Sequence, residues 1–170
     1  MTLPTVTRRD IALYFCPRSN IHYLMYWHIG DVATWGTPLR ILIVDDHEAI
    51  RRVVIRVLQS RGNVGNVVEC AEATNGEEAV DRALVWKPDL ILLDVFLPVL
   101  AGFVAASEIK QHQPHIPILF FSIYATDEIL KEAGSVGDGF ILKETVVEML
   151  PKAVDALLQK QSFFPAVDLR

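Results

Sequence analysis

From Leu39 onward the sequence predicts a doubly wound α/β domain, (βα)5, built on a parallel sheet, and three observations predict it. Five short, mostly aliphatic runs recur along the chain. A segment with helical apolar spacing follows each of them. The runs largely lack the polar alternation of a half-exposed strand, so helices must cover both faces of the sheet.

"LRILIVDD" (39–46) reads as the first buried strand. "EAIRRVVIRVLQSRG" follows as a helix with apolar positions Ile50, Val53, Val54, Val57 and Leu58, ending at Gly62. "NVVECAEA" is the second strand. "NGEEAVDRALVWKP" is a helix with Asn75 as N-cap, two acids in its first turn and Pro88 beyond its end. "DLILLDVFLP" is the third strand, broken only by Asp94, and "GFVAASEIKQH" the helix after it. "IPILFFS" is a strand, "TDEILKEAG" a short helix, and "DGFILK" the fifth strand. "TVVEMLPKAVDALLQKQ" closes the series as a helix with Pro151 inside it. The expected organisation is an extension over residues 1–38, a domain over 39–160 and a tail over 161–170.

In open α/β sheets ligands bind in the crevice beyond the carboxyl ends of the strands. Here the first strand ends at Asp45 and Asp46, the third at Asp94, the fourth at Ser122 and the fifth at Lys143. The strong polar residues at strand ends thus share one edge. Three carboxylates converging there would push at least one toward protonation unless a cation compensates. Oxygen ligands without Cys or His favour Mg²⁺. Metal, lysine and hydroxyl together cradle a phosphoryl group, and an aspartate among them can receive it as an acyl phosphate.

Asp45-Asp46, "DVFLPVLAG" (94–102), "FFS" at Ser122 and "DGFILK" at Lys143 together resemble a bacterial response-regulator receiver domain over roughly residues 39–160. The resemblance implies a flavodoxin-like fold with strand order 2-1-3-4-5. Asp94 would be the phosphoacceptor of a two-component phosphorelay, charged by a histidine kinase or phosphotransfer protein, and the chain would not be an enzyme. Asp45 and Asp46 would hold Mg²⁺ with Asp94 and the backbone carbonyl of Phe96. Ser122 and Lys143 would contact the phosphoryl oxygens. Phe140 takes the place of the family's switch aromatic, turning inward as the Ser122 region moves and altering the helix-four, strand-five face. A downstream protein partner of unspecified kind and a phosphorylation-dependent homodimer belong to the same expectation. The runner-up is a receiver-like interaction module that is never phosphorylated.

Departures from the family pattern carry information. Glu144 follows Lys143 where many receivers have proline, a feature shared, like "DDH", with receivers joined to LuxR-type DNA-binding domains. "QKQSFFPAVDLR" looks like the start of their linker, yet the sequence ends at Arg170 without room for that domain; it reads as a stand-alone receiver descended from that subfamily or as a fragment of a longer DNA-binding regulator, and direct DNA binding is not carried over. Ile123 is bulky where the family is usually small, which narrows the path to Asp94. Phe96 and Tyr124 stand where the family tunes acyl-phosphate hydrolysis, and their rings are expected to shield the phosphoryl group from water.

Two other classes are disfavoured. An aspartate-based phosphohydrolase needs a second acid two residues after its nucleophile, where Phe96 stands. A flavin-binding domain needs a hydroxyl-rich phosphate loop, and "DDHEA" would repel phosphate. His47 reads as a surface or capping residue and Cys70 as a small core residue.

The net charge of −5 is uneven: +1 over residues 1–38 and −6 over the remainder. An acidic body argues against a nucleic-acid surface. Two cysteines without C-x-x-C spacing, and no run of about 18 apolar residues, point to a cytoplasmic protein without a membrane span. "IALYFCP" is too short for a signal sequence. Residues 1–38 hold three of the four tyrosines and two of the three tryptophans without clear period. They read as a mobile extension or an upstream stretch from a misplaced start, against a small aromatic docking element.

Overall fold

The computed structural model describes residues 13–15, 22–24, 38–60 and 68–165. The chain divides into two units, Met1–Thr34 and Trp35–Arg170. In the first, β1 (Leu13–Phe15) and β2 (His22–Leu24) pair antiparallel, Leu13 opposite Leu24. The other expectations for residues 1–38 lie outside the described residues, as does Gly62.

The second unit runs β3 (Leu39–Val44), α1 (Glu48–Ser60), β4 (Val68–Ala73), α2 (Gly76–Trp86), β5 (Leu90–Asp94) and α3 (Gly102–His112). It continues with β6 (Ile118–Ser122), α4 (Asp127–Val136), β7 (Gly139–Leu142) and α5 (Val146–Leu158). The sheet is wholly parallel, in the order β4-β3-β5-β6-β7. Counted from β3, this is the expected order 2-1-3-4-5.

Successive residues of a strand point to opposite faces, so each aliphatic strand feeds two cores. Leu42, Val44, Ile91, Leu93, Phe120 and Phe140 pack on the face of α2, α3 and α4. Ile41, Ile43, Leu90, Leu92, Phe121 and Ile141 pack on the face of α1 and α5. This is why the strands read as continuous apolar runs rather than alternating ones.

The caps follow local chemistry. Asn75 Oδ1 accepts from the N–H of Glu78, and the Glu78 carboxylate accepts from the N–H and hydroxyl of Thr74. This reciprocal arrangement satisfies donors that a helix start leaves orphaned. Thr126 caps α4 in a similar way, its hydroxyl oxygen accepting from the N–H of Ile129.

Two boundaries differ from expectation. The helix after Ser122 does not stop at Gly134 but runs to Val136. Gly134 faces open space, so it costs the helix only propensity, while Val136 gains contact with the core. Lys143 does not end the fifth strand: it opens a 3₁₀ turn, Lys143–Thr145, that leads into α5.

Candidate functional site

The strand order reverses between β3 and its two neighbours, which opens a crevice at the carboxyl ends of β3 and β5. Asp45 and Asp94 meet Lys143 there. Asp45 is 0% exposed, Asp94 2%, and the Lys143 side chain 10%. Lys143 Nζ lies 2.7 Å from Oδ2 of Asp94 and 2.7 Å from Oδ2 of Asp45. It donates a directed hydrogen bond to Asp94. Its contact with Asp45 is an ion pair without hydrogen-bond alignment, which leaves that buried Oδ2 atom short of a donor. The ammonium also sits 5.0 Å from the centre of the buried Phe121 ring, within cation–π range.

Burial raises the Asp94 pKa above the ordinary carboxylate range. The Lys143 hydrogen bond and charge oppose the rise, and the Asp45 charge adds to it. Lys143 is affected in the reverse order. Burial alone would lower its pKa, but the hydrogen bond to Asp94 and the negative charges of Asp94 and Asp45 outweigh that and raise it.

Backbone contacts fix the two acids. The N–H of His47 donates to Asp45 Oδ1 at 2.8 Å, and the N–H of Phe96 to Asp94 Oδ1 at 3.2 Å. Arg51, which the sequence reading passed over, donates to the Asp45 carbonyl at 2.8 Å and pairs with Glu72 of β4 at 2.7 Å. An arginine in the first helical turn after the acid pair was the available signal.

Asp46 is placed differently from its two partners. It is exposed, and its Oδ1 lies 2.6 Å from His47 Nδ1. Among the described residues, the group whose possible metal-binding atoms all lie within 4.8 Å of one another is Asp45, Asp46 and His47, without Asp94. His47 is 71% exposed, and its carbonyl accepts from the N–H groups of Ile50 and Arg51 at the start of α1. That is the place of a surface and capping residue.

Ser122 is buried at the end of β6, and its hydroxyl oxygen accepts from the N–H of Tyr124 at 3.3 Å. Phe96 and Tyr124 are exposed and meet edge to face, ring centres 6.2 Å apart. The Ile123 side chain is also exposed. Phe140 lies inside the core beside Phe120 and Ala133, so its ring is already inward. Cys70 is half-buried, and burial together with the Glu72 charge pushes its thiol up to about 11.

The loop after Asp94 stores backbone strain. Val99 has φ 67, and the N–H of Leu100 donates to the Pro98 carbonyl at 2.7 Å, closing a tight three-residue turn. A β-branched residue in this region costs about 1–2 kcal/mol. The Val99 side chain is 74% exposed, so packing does not offset that cost. Val99→Gly is therefore expected to stabilise the protein by about 1 kcal/mol in urea denaturation. A lower midpoint would refute the assignment of strain.

A five-stranded doubly wound sheet with acids, a lysine and a hydroxyl at its switch point defines the class: a receiver of the flavodoxin-like, CheY-like fold. The chain belongs to the response regulator receiver domain family, whose model matches residues 41–155. It is 30% identical to the response regulator protein VraR of Staphylococcus saprophyticus over 130 residues, covering 76% of this chain and 61% of the relative. It is 32% identical to VraR of Staphylococcus aureus over 127 residues, covering 74% and 59%. The chain thus spans about three fifths of the length of these curated relatives.

Among solved structures, it resembles a LuxR-family two-component response regulator from Aurantimonas sp. SI85-9A1. There the TM-score is 0.68 at 26% identity, covering 75% of this chain and 89% of the other. The Vibrio cholerae chemotaxis protein CheY4 matches with TM-score 0.63 at 29% identity, covering 70% and 98%. As a family, receiver domains are signalling modules of two-component systems rather than enzymes. No helix among the described residues is long and apolar enough to cross a membrane.

Proposed function

We propose that the protein is a phospho-accepting receiver and that Asp94 is its acceptor. The observation that carries this reading is the buried Asp94 carboxylate held between Lys143 Nζ and the N–H of Phe96. A carboxylate oxygen of Asp94 attacks the phosphorus of an N-phosphohistidine on a histidine kinase or phosphotransfer protein. A P–O bond forms, the P–N bond breaks, and the histidine leaves with the electron pair and takes up a proton.

Lys143 stabilises charge on the phosphoryl oxygens, and Ser122 turns its hydroxyl from Tyr124 toward them. The residues fit a divalent cation, because they offer oxygen donors at a buried site where Asp45 Oδ2 lacks an aligned hydrogen bond. Asp45, Asp46, Asp94 and the Phe96 carbonyl would hold Mg²⁺, which would supply positive charge to offset the acids and the phosphoryl oxygens.

The output is a population shift. Recruiting Ser122 moves the loop before α4 and re-forms the α4 and β7 surface around the buried Phe140 ring. The kinase and the downstream protein are recognised by surfaces outside this chemistry, and a phosphorylation-dependent homodimer is one form of that output.

Incubation with acetyl phosphate and Mg²⁺, followed by intact mass, tests the reading. One phosphoryl adduct is expected in wild type and none in Asp94→Ala. No adduct from either the small donor or a cognate kinase would leave the unphosphorylated interaction module standing instead. Phe96 and Tyr124 form an aromatic rim across two loops, and as a shield against water they would give a slowly lost adduct. Phe96→Asn is expected to shorten the adduct's half-life by about tenfold, on the order of 1.4 kcal/mol of barrier. An unchanged half-life would rule out the shield.

A further inference from the structure

The outer edge of β7 is closed by the chain's own C-terminal segment. α5 ends in a reversal in which Lys160 adopts φ 61. The Lys160 N–H donates to Leu157 and that of Gln161 to Ala156, both at 2.9 Å, a Schellman arrangement. The chain then runs back beside β7, and Phe163 pairs in parallel with Gly139. The N–H of Phe163 donates to the Asp138 carbonyl at 3.0 Å, and the N–H of Phe140 donates to the Phe163 carbonyl at 2.7 Å. Gly139 is required for this approach, since a Cβ there would lie 2.9 Å from the Phe163 oxygen.

The Phe163 ring packs on the core of α1 and α5. Asp138 ties the pairing to the rest of the fold, its carboxylate accepting from the Ile118 N–H at 2.9 Å and from Lys110 at 2.8 Å. A cavity of about 490 Å³ beside the segment is lined in part by Leu157, Lys160, Gln161 and Ser162.

We infer that residues 160–164 form a releasable strap on β7 that responds to the loading of Asp94. The inference rests on Asp94 being the phosphoacceptor. Ser122 pairs with Leu142 at one end of β7, and the strap holds the Phe140 N–H toward the other. Drawing Ser122 toward a phosphoryl group pulls on the Leu142 end and lengthens the bond between Phe140 and Phe163. Loading therefore loosens the strap, and by linkage a loosened strap favours loading. The state of the acid pocket thereby reaches the chain beyond Phe164 through main-chain hydrogen bonds.

Hydrogen exchange on the full chain, with and without acetyl phosphate and Mg²⁺, tests this when intact mass is read on the same samples. Exchange of the Phe140 and Phe163 amides is expected to rise about fivefold on loading, with β3 and β5 amides unchanged. Phe163→Ala is expected to raise the loaded fraction at fixed donor. Lys160→Gly, which eases the left-handed turn, is expected to lower it. A purely structural contact would alter stability in both variants without moving that fraction. Exchange at β5 reports whether each variant is folded, and Lys160→Gly keeps the test open should Phe163→Ala unfold. Loading with no change at Phe140 and Phe163 overturns the strap and leaves the acceptor intact. No loading of wild type by either donor overturns both.

Discussion

Lys143→Met is expected to destabilise the protein by about 3–5 kcal/mol at neutral pH, because it leaves two buried carboxylates without their cation. Asp45 and Asp94 both face Nζ at 2.7 Å, and both are almost wholly buried. Methionine fills much of the same volume, so the loss reports charge rather than a cavity. The deficit should shrink as the solution is acidified. Burial already holds the Asp94 carboxyl above its ordinary range, and Lys143 is what opposes that rise. A carboxyl whose folded pKa exceeds its unfolded value contributes stability below the unfolded value and loses it as pH rises through the folded one. Without Lys143 the folded value climbs further, so the variant gains more than wild type between pH 7 and pH about 4. Urea midpoints at both ends of that window check the prediction. A deficit that does not change with pH would mean that Lys143 acts by packing alone.

Gly102→Ala is the second large effect. An added Cβ would lie 2.0 Å from the Asp94 carbonyl oxygen and 3.0 Å from Val95 Cα, both of them backbone atoms. Gly102 also donates its N–H to the Val95 carbonyl at 3.1 Å, so it cannot retreat without breaking that bond. Either α3 shifts outward or β5 moves, at a cost of about 3 kcal/mol or more. β5 bears Asp94, so a shift of that strand should lower acetyl phosphate loading along with stability. Urea denaturation and the initial rate of adduct formation measure the two effects separately. An alanine variant that loads at the wild-type rate would show that α3 alone absorbs the clash.

The fold was legible because its signal is repeated. Each aliphatic strand is long enough to read, and each loop beyond it carries a polar residue at the same edge. Asp45, Asp94, Ser122 and Lys143 could be assigned to one crevice on that basis, and the structure brings Asp45, Asp94 and Lys143 into contact. What escaped was set by distances that no local pattern encodes. The strain at Val99 depends on a turn whose φ is not written in the valine itself. Gly102 reads as an ordinary helix start, and only the proximity of a strand carbonyl reveals its constraint. The helix after Ser122 runs past Gly134 to Val136; a glycine facing open space looks the same in sequence as one that ends a helix.

The division of the interior into two cores has a consequence for how this chain tolerates change. The buried residues against α2, α3 and α4 and those against α1 and α5 are separated by the sheet backbone. Substitutions on opposite faces share few neighbours, so their costs should nearly add, whereas those on one face should interact. Lineages carrying this domain can therefore remodel the two sides at independent tempos. The sheet that both sides must respect acts as a partition against epistasis.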